Sequence, residues 1–131
     1  MNSTSAFVTR GVLLSSGLLA TGIAATILAA PDFFYASYGI DVRSNVSLAN
    51  ELKAPAGMLL IAGLLMLVGV VKRAYAATSL AVGAVIYLSY GFSRLSSIAV
   101  DGLPHSALVS AAVLELALGA VCLLGWVRLR A

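Results

Sequence analysis

Apolar residues occur along this chain in four long runs, separated by polar segments that carry charged residues, proline or glycine. The first run spans residues 11–30, contains no charged residue, and lies between Arg10 and Pro31. A run of this length extends about 30 Å as an α-helix, which matches the hydrocarbon core of a bilayer. The run therefore predicts a transmembrane helix.

Three further runs predict three further transmembrane helices, at about 51–71, 75–98 and 105–126. Lys72 and Arg73 end the second predicted helix, and a turn at 101–104 separates the third from the fourth. Because the connections after the second and third helices are short, neighbouring helices should pack antiparallel. We therefore predict one all-α domain over residues 1–131, an integral membrane antiparallel four-helix bundle.

The first predicted helix should be retained rather than removed as a signal peptide. The apolar region of a signal peptide usually spans about 7–15 residues, fewer than the run at 11–30 provides. Cleavage after Ala30 would also place Leu28 at a position that requires a small residue.

The long connection at 31–50 contains a cluster of four aromatic residues: Phe33, Phe34, Tyr35 and Tyr38. Aromatic rings of this kind favour the membrane–water interface. The segment is therefore predicted to lie along the surface as a short helix, with a break at Gly39.

Small residues are predicted to mark the surfaces through which the helices pack, since the hydrophobic effect does not drive helices together in lipid. In the first helix they fall near one stripe: Gly11, Ser15, Gly22, Ala25 and Ala29. In the second helix the corresponding residues are Gly57 and Gly63. Pro55 is predicted to lie in the first turns of the second helix, where its missing N–H costs little.

The composition supports a membrane protein and excludes several other classes. Hydrophobic residues make up 61% of the 131 residues and charged residues only 10%, whereas soluble domains carry about a quarter charged residues. These values exclude a disordered chain and a nucleic-acid-binding module, and they argue against a soluble enzyme of this length. The single cysteine, Cys122, cannot form a disulfide within the chain.

The distribution of charge predicts the orientation. Four spans place both termini and the second loop on one side, and that side holds five basic residues and no acidic residue: Arg10, Lys72, Arg73, Arg128 and Arg130. The other side holds three basic and four acidic residues: Arg43, Lys53, Arg94, Asp32, Asp41, Glu51 and Asp101. The positive-inside rule therefore predicts cytoplasmic N- and C-termini.

Two charged residues are predicted to lie within the bilayer and to meet there. When the third and fourth helices are aligned about their turn, Glu115 lies level with about Tyr90, and Arg94 lies one turn closer to the outside. Side chains lean towards the N-terminus of their own helix, so Arg94 and Glu115 should converge. An unpaired charge near the bilayer centre costs at least about 2.5–3.5 kcal/mol. Glu115 can avoid that cost by taking up a proton or by pairing with Arg94.

The predicted site is an outward-opening polar pocket around this pair. Its members are seven residues: Arg94, Glu115, Tyr87, Tyr90, Glu51, Lys53 and Asp101. Charged residues inside membranes usually mark functional sites, but a buried ion pair can also serve only to fix the register of two helices. The tyrosines could equally be core residues, and Glu51 and Lys53 could be a solvated helix start.

No cofactor, metal or catalytic residue is predicted. One histidine and one cysteine, far apart along the fourth helix, cannot form a zinc site. The sequence contains neither a phosphate-binding loop nor a dinucleotide fingerprint.

Three segments of the sequence resemble a bacterial domain-of-unknown-function family of small four-helix inner-membrane proteins. They are residues 50–57 (NELKAPAG), residues 91–94 (GFSR) with Asp101-Gly102, and Glu115-Leu116. The resemblance extends from about Pro31 to Trp126, and the layout is also similar to that of DoxX-like membrane proteins. The family usually has arginine where Lys53 stands, and lysine lacks the bidentate pairing geometry of arginine. The resemblance implies a bacterial inner-membrane location and supplies no activity.

Three functional hypotheses follow from these observations. The leading one is a non-enzymatic membrane protein that binds a small or lipid-like ligand, or a partner subunit, through the polar pocket. The second is a small transporter or proton-coupled carrier, which would require a homo-oligomer because one four-helix unit cannot enclose a wide pathway. The third is a membrane enzyme acting on a lipid or a quinone, with Glu115 as proton donor.

Overall fold

The computed structural model describes residues 3–131, which form an all-helical fold without strands in that range. Its helices are α1 (Ser3–Ala29), α2 (Pro31–Ala36), α3 (Val46–Val71), α4 (Ala76–Asp101) and α5 (Ser106–Arg130), with a short 3₁₀ turn at Arg73–Tyr75 between α3 and α4. The four long helices are each long and apolar enough to cross a membrane. The all-α class and the four long apolar helices are thus confirmed.

Local hydrogen bonds and glycine conformations set the helix ends. Asn45 caps α3, because its side-chain oxygen accepts from the backbone N–H of Leu48 at 2.9 Å. His105 caps α5 in the same way, with Nδ1 accepting from the N–H of Ala107 at 3.3 Å. Gly102 follows α4 at φ 97°, a left-handed conformation that glycine adopts without steric cost.

Two of the long helices extend well beyond the predicted spans. α1 is helical from Ser3 rather than from residue 11, and α3 begins at Val46 rather than at residue 51. Hydropathy identifies the apolar part of a helix, whereas the hydrogen-bonded helix continues into polar residues up to the cap. Pro55 consequently lies inside α3 and not in its first turns, so that expectation was wrong. A short helix is present in the connection, as predicted, and forms α2; its place at the membrane surface stays a prediction.

α1 packs against α3 through two glycines. A Cβ atom on Gly17 would lie 2.9 Å from the side chain of Leu67 and 3.1 Å from the carbonyl oxygen of Gly63. A Cβ on Gly63 would lie 2.8 Å from the backbone nitrogen of Thr21. Further along, a Cβ on Gly69 would lie 3.0 Å from Leu13 Cδ1. Only glycine permits this approach of two backbones.

The predicted stripe of small residues is therefore wrong in part. Gly11 and Gly22 in α1, and Gly57 in α3, have no neighbouring atom within 4 Å of the position of a Cβ. Gly63 is the one predicted glycine that lies in a helix contact, and its partner Gly17 was not predicted. Spacing alone shows which small residues share a face, but it does not show which face meets a neighbour.

The other principal contact joins α4 to α5, and small residues again permit it. A Cβ on Gly119 would lie 2.9 Å from the backbone nitrogen of Leu88. A Cβ on Gly83 would lie 2.9 Å from Cys122 Sγ and 3.0 Å from Met66 Sδ. Cys122 also lies 3.8 Å from the hydroxyl of Ser16 on α1. The core where α1, α3, α4 and α5 meet thus contains small and polar groups as well as apolar ones.

Large apolar side chains lie mainly on the outside of the protein. Examples on α3 and α5 are Met58, Ile61, Leu64, Val113, Leu114, Leu124 and Val127, each at least 45% exposed. The fully buried positions include Ala20, Ala24 and Ser16. This distribution is the reverse of that in a soluble helical domain, whose largest apolar side chains face inward.

Candidate functional site

An ion pair joins α4 to α5. The Arg94 Nε atom lies 2.9 Å from Glu115 Oε2 and 3.2 Å from Oε1. Both side chains are partly buried, with 32% of the Arg94 side chain and 16% of the Glu115 side chain exposed. The convergence predicted from helix alignment is thus seen as a direct contact.

Close packing of the two helices makes this contact geometrically accessible. Gly91 lies one turn before Arg94, and a Cβ on Gly91 would lie 3.2 Å from the backbone nitrogen of Leu116, the residue after Glu115. The two backbones therefore approach closely at this level. Arg94 and Glu115, which lie beside the contact, can bridge the helices without extended side chains.

The guanidinium group of Arg94 uses only one of its nitrogens in this pair. Nε donates to both carboxylate oxygens. Within residues 3–131, no hydrogen bond from the two terminal nitrogens of Arg94 to the protein is present. An arginine presents five N–H donors, so four of them remain for water or a ligand on the partly exposed side of the group.

Two tyrosines lie near the pair, and one of them was not predicted. The charges of Arg94 and Glu115 both act on the phenol of Tyr90, whose hydroxyl is 3.5 Å from the carbonyl oxygen of Pro55 on α3. Tyr35 on α2 is the additional residue. Burial raises the pKa of Tyr35 above its ordinary value, the phenol of Tyr90 raises it further, and the charge of Arg94 lowers it. Tyr35 is therefore within electrostatic reach of the pair, from a segment that the sequence placed only at the membrane surface.

Tyr87 occupies a different environment from Tyr90. It is only 4% exposed, and its hydroxyl donates to the backbone carbonyl of Ser16 on α1 at 2.6 Å. That carbonyl already belongs to a helix, so the bond connects α4 to α1 through the core. The contact gives Tyr87 a packing role, the alternative that the sequence left open.

Three predicted members make no ion pair or hydrogen bond with Arg94 or Glu115 among residues 3–131. Glu51 is exposed and Lys53 is half-buried, both in the second turn of α3. Asp101 is exposed at the end of α4, where it accepts a hydrogen bond of 2.9 Å from the hydroxyl of Ser97. Within residues 3–131 no ion pair joins any of them to Arg94 or Glu115. The direct contact is the ion pair, and the phenols of Tyr90 and Tyr35 are within electrostatic reach of it; we call these four residues, Arg94, Glu115, Tyr90 and Tyr35, the polar centre.

The described part of the chain holds no group of three or more histidine, cysteine, aspartate or glutamate side chains that could bind a metal ion. Cys122 is buried and forms no disulfide, and it lies next to Ser16 and Gly83.

Comparison with known proteins identifies one family. The family described as Domain of unknown function (DUF4345) matches residues 8–126, and this range includes every segment on which the resemblance rests. No curated protein and no solved structure matches the chain. Since the match covers most of the 131 residues, the chain belongs to this domain-of-unknown-function family, DUF4345.

Proposed function

We propose that this protein is a small integral membrane protein of the bacterial inner membrane that binds a small or lipid-like ligand at the polar centre. Its four long helices would cross the bilayer as an antiparallel bundle. The N- and C-termini would be cytoplasmic, and the polar centre would open towards the outer surface.

The distribution of side chains supports insertion into a membrane. Large apolar residues cover the outside of α3 and α5, while glycine, alanine and serine fill the contacts between helices. Lipid solvates exposed apolar side chains, and close packing of small residues holds helices together in lipid. In water the same exposed surface would aggregate.

The distribution of charge supports the orientation. Arg10 and Arg73 line one cavity at the end of the protein that also holds the C-terminus of α5. We call this the basic end, and its basic residues are Arg10, Lys72, Arg73, Arg128 and Arg130. The opposite end, which we call the acidic end, holds Asp32, Asp41, Glu51 and Asp101. By the positive-inside rule, the basic end would lie in the cytoplasm.

The single observation that carries the binding proposal is that the guanidinium of Arg94 uses one of its five N–H donors in the protein. A pair that served only to fix helix register would be expected to direct more of the donors of Arg94 into the protein, because unpaired donors in an apolar surrounding are costly. Here only Nε donates to the protein among the described residues, and 32% of the Arg94 side chain is exposed. The remaining N–H groups would complement a ligand that carries acceptor oxygens, such as a carbonyl, carboxylate or phosphate group. Tyr90 and Tyr35 add two phenol groups within electrostatic reach of Arg94.

Native mass spectrometry of protein extracted from its own membranes tests the proposal. Wild-type protein should retain a bound molecule of defined mass, and Arg94→Met should lose it. Arg43→Met is the matched control, because it removes the same charge from the acidic end at a side chain that is 83% exposed and pairs with Asp32. The control should retain the bound molecule.

Two results would contradict this proposal. Either the wild-type protein carries no bound molecule, or Arg94→Met retains it as well as Arg43→Met does. A pH-dependent flux in proteoliposomes that Glu115→Gln abolishes would point instead to the transporter hypothesis. Turnover of a bound lipid or quinone would point to the enzyme hypothesis.

A further inference from the structure

A small cavity lies at the basic end of the protein, far from the polar centre. Its volume is about 150 Å³, and six residues of α1, α3, the 3₁₀ turn and α4 line it: Ala6, Thr9, Arg10, Gly69, Arg73 and Ala76. A water molecule occupies about 30 Å³ in the liquid. The cavity can therefore hold a compact group of a few heavy atoms.

The two arginines give this cavity a positive charge that the protein does not balance. The ion pairs within residues 3–131 are Arg43 with Asp32 and Arg94 with Glu115. Neither Arg10 nor Arg73 thus has a carboxylate partner there. The sequence places no acidic residue at the basic end, so an external anion is the natural partner for both guanidinium groups.

The remaining walls fit a small oxyanion. Thr9 is the buried polar member of the lining, only 8% exposed, and a threonine hydroxyl can donate to an anionic oxygen. Ala6, Ala76 and Gly69 add no bulky side chain to the lining. Guanidinium groups bind phosphate through paired N–H donors, with a geometry that an isolated lysine cannot reproduce.

We propose that this cavity binds a phosphate group between Arg10 and Arg73, at a second site distinct from the polar centre. The phosphate can belong to the headgroup of a phospholipid or to free phosphate. The surroundings favour a headgroup, because Phe7, Val71 and Tyr75 flank the cavity along the chain and are more than half exposed. An acyl chain could lie against these side chains while its phosphate occupies the cavity, and basic pockets between transmembrane helices bind phospholipid headgroups in this way.

Binding to purified protein in detergent tests this proposal with three probes: short-chain phosphatidylglycerol, short-chain phosphatidylcholine and inorganic phosphate. Thermal unfolding of the wild-type protein should shift upward with phosphatidylglycerol. Each of Arg10→Gln and Arg73→Gln should weaken the apparent affinity roughly tenfold, because a hydrogen bond to a charged group is lost.

A shift in unfolding temperature with inorganic phosphate alone would identify free phosphate as sufficient. A shift with both lipids but not with phosphate would identify the headgroup within a lipid.

Two further variants separate a site from a general effect of charge. Lys72→Gln with Arg128→Gln removes two charges from the same end outside the cavity, and it should leave the affinity within about twofold, since screened surface charges contribute little. Ala6→Leu keeps both arginines but fills the cavity, and it should reduce binding as strongly as Arg73→Gln. The proposal is overturned if none of the three probes shifts unfolding of the wild type. It is equally overturned if the double variant Lys72→Gln with Arg128→Gln loses as much affinity for the probe as the double variant Arg10→Gln with Arg73→Gln. Binding of the probe by Ala6→Leu with the affinity of the wild type would also overturn it.

Discussion

Glu115→Gln removes the negative charge of the ion pair while keeping the shape of the side chain, and it therefore leaves Arg94 as an unpaired cation. Arg94→Met leaves a carboxyl group that can take up a proton and become neutral. Arginine has no equivalent escape, because its guanidinium stays protonated at all relevant pH values. We therefore expect Glu115→Gln to destabilise the protein more than Arg94→Met does, and the double variant to recover much of the loss.

The burial of the pair sets the size of these effects. Breaking a fully buried pair costs about 3–5 kcal/mol, but 32% of the Arg94 side chain and 16% of the Glu115 side chain remain exposed. Solvent screening reduces the cost, so we expect a loss of about 2 kcal/mol for Glu115→Gln and about 1 kcal/mol for Arg94→Met. The double variant should lose about 1 kcal/mol rather than the sum, which gives a coupling energy of about 2 kcal/mol.

Unfolding of the four proteins in mixed detergent micelles, analysed as a double-mutant cycle, measures this coupling directly. The three variants should have the helix content of the wild type before unfolding, as judged by circular dichroism. Additive losses would refute the reasoning, because they would mean that the two side chains do not stabilise one another despite the 2.9 Å contact.

Three other predictions test the fold and its orientation. Gly63→Ala should destabilise the protein by about 1–3 kcal/mol, because the added Cβ would overlap the backbone of α1. Gly57→Ala is the control in the same unfolding assay. It should be neutral or stabilising, because no atom lies within 4 Å of the added Cβ. Tyr87→Phe should lose about 1 kcal/mol, since it removes a buried hydroxyl that donates to a carbonyl of α1 at 2.6 Å. A loss below about 0.3 kcal/mol, which is the precision of such a measurement, would contradict this prediction. Reporter fusions at Ala131 and within 41–48 should report opposite sides of the membrane, and the same side for both would contradict the proposed topology.

The sequence predicts the helices well because hydropathy is a local property. Four long apolar runs correspond to α1, α3, α4 and α5, and the ends that differ do so where polar residues continue a helix. Val46 to Asn50, for example, are helical because Asn45 caps them and not because they are apolar. A local cap of this kind is visible in the sequence, but several polar residues in the same connection could have served as well.

The polar centre is predicted only in part, for a different reason. Arg94 and Glu115 can be paired from sequence because a short turn fixes the alignment of α4 and α5. The long connection at 31–50 fixes no such alignment, so the position of Tyr35 near Arg94 could not be derived. The cavity between Arg10 and Arg73 was missed because it depends on the contact between α1 and α3, where Gly17 rather than Gly11 or Gly22 meets the partner helix.

A structure determined in native lipid, without added ligand, tests the central proposal most directly. It should show a non-protein group with an acceptor oxygen within hydrogen-bond distance of the terminal nitrogens of Arg94, while Nε remains paired with Glu115. The same preparation of Arg94→Met should lack that group. A wild-type structure in which those nitrogens contact only protein atoms or bulk water would contradict the account of this pair as a binding site.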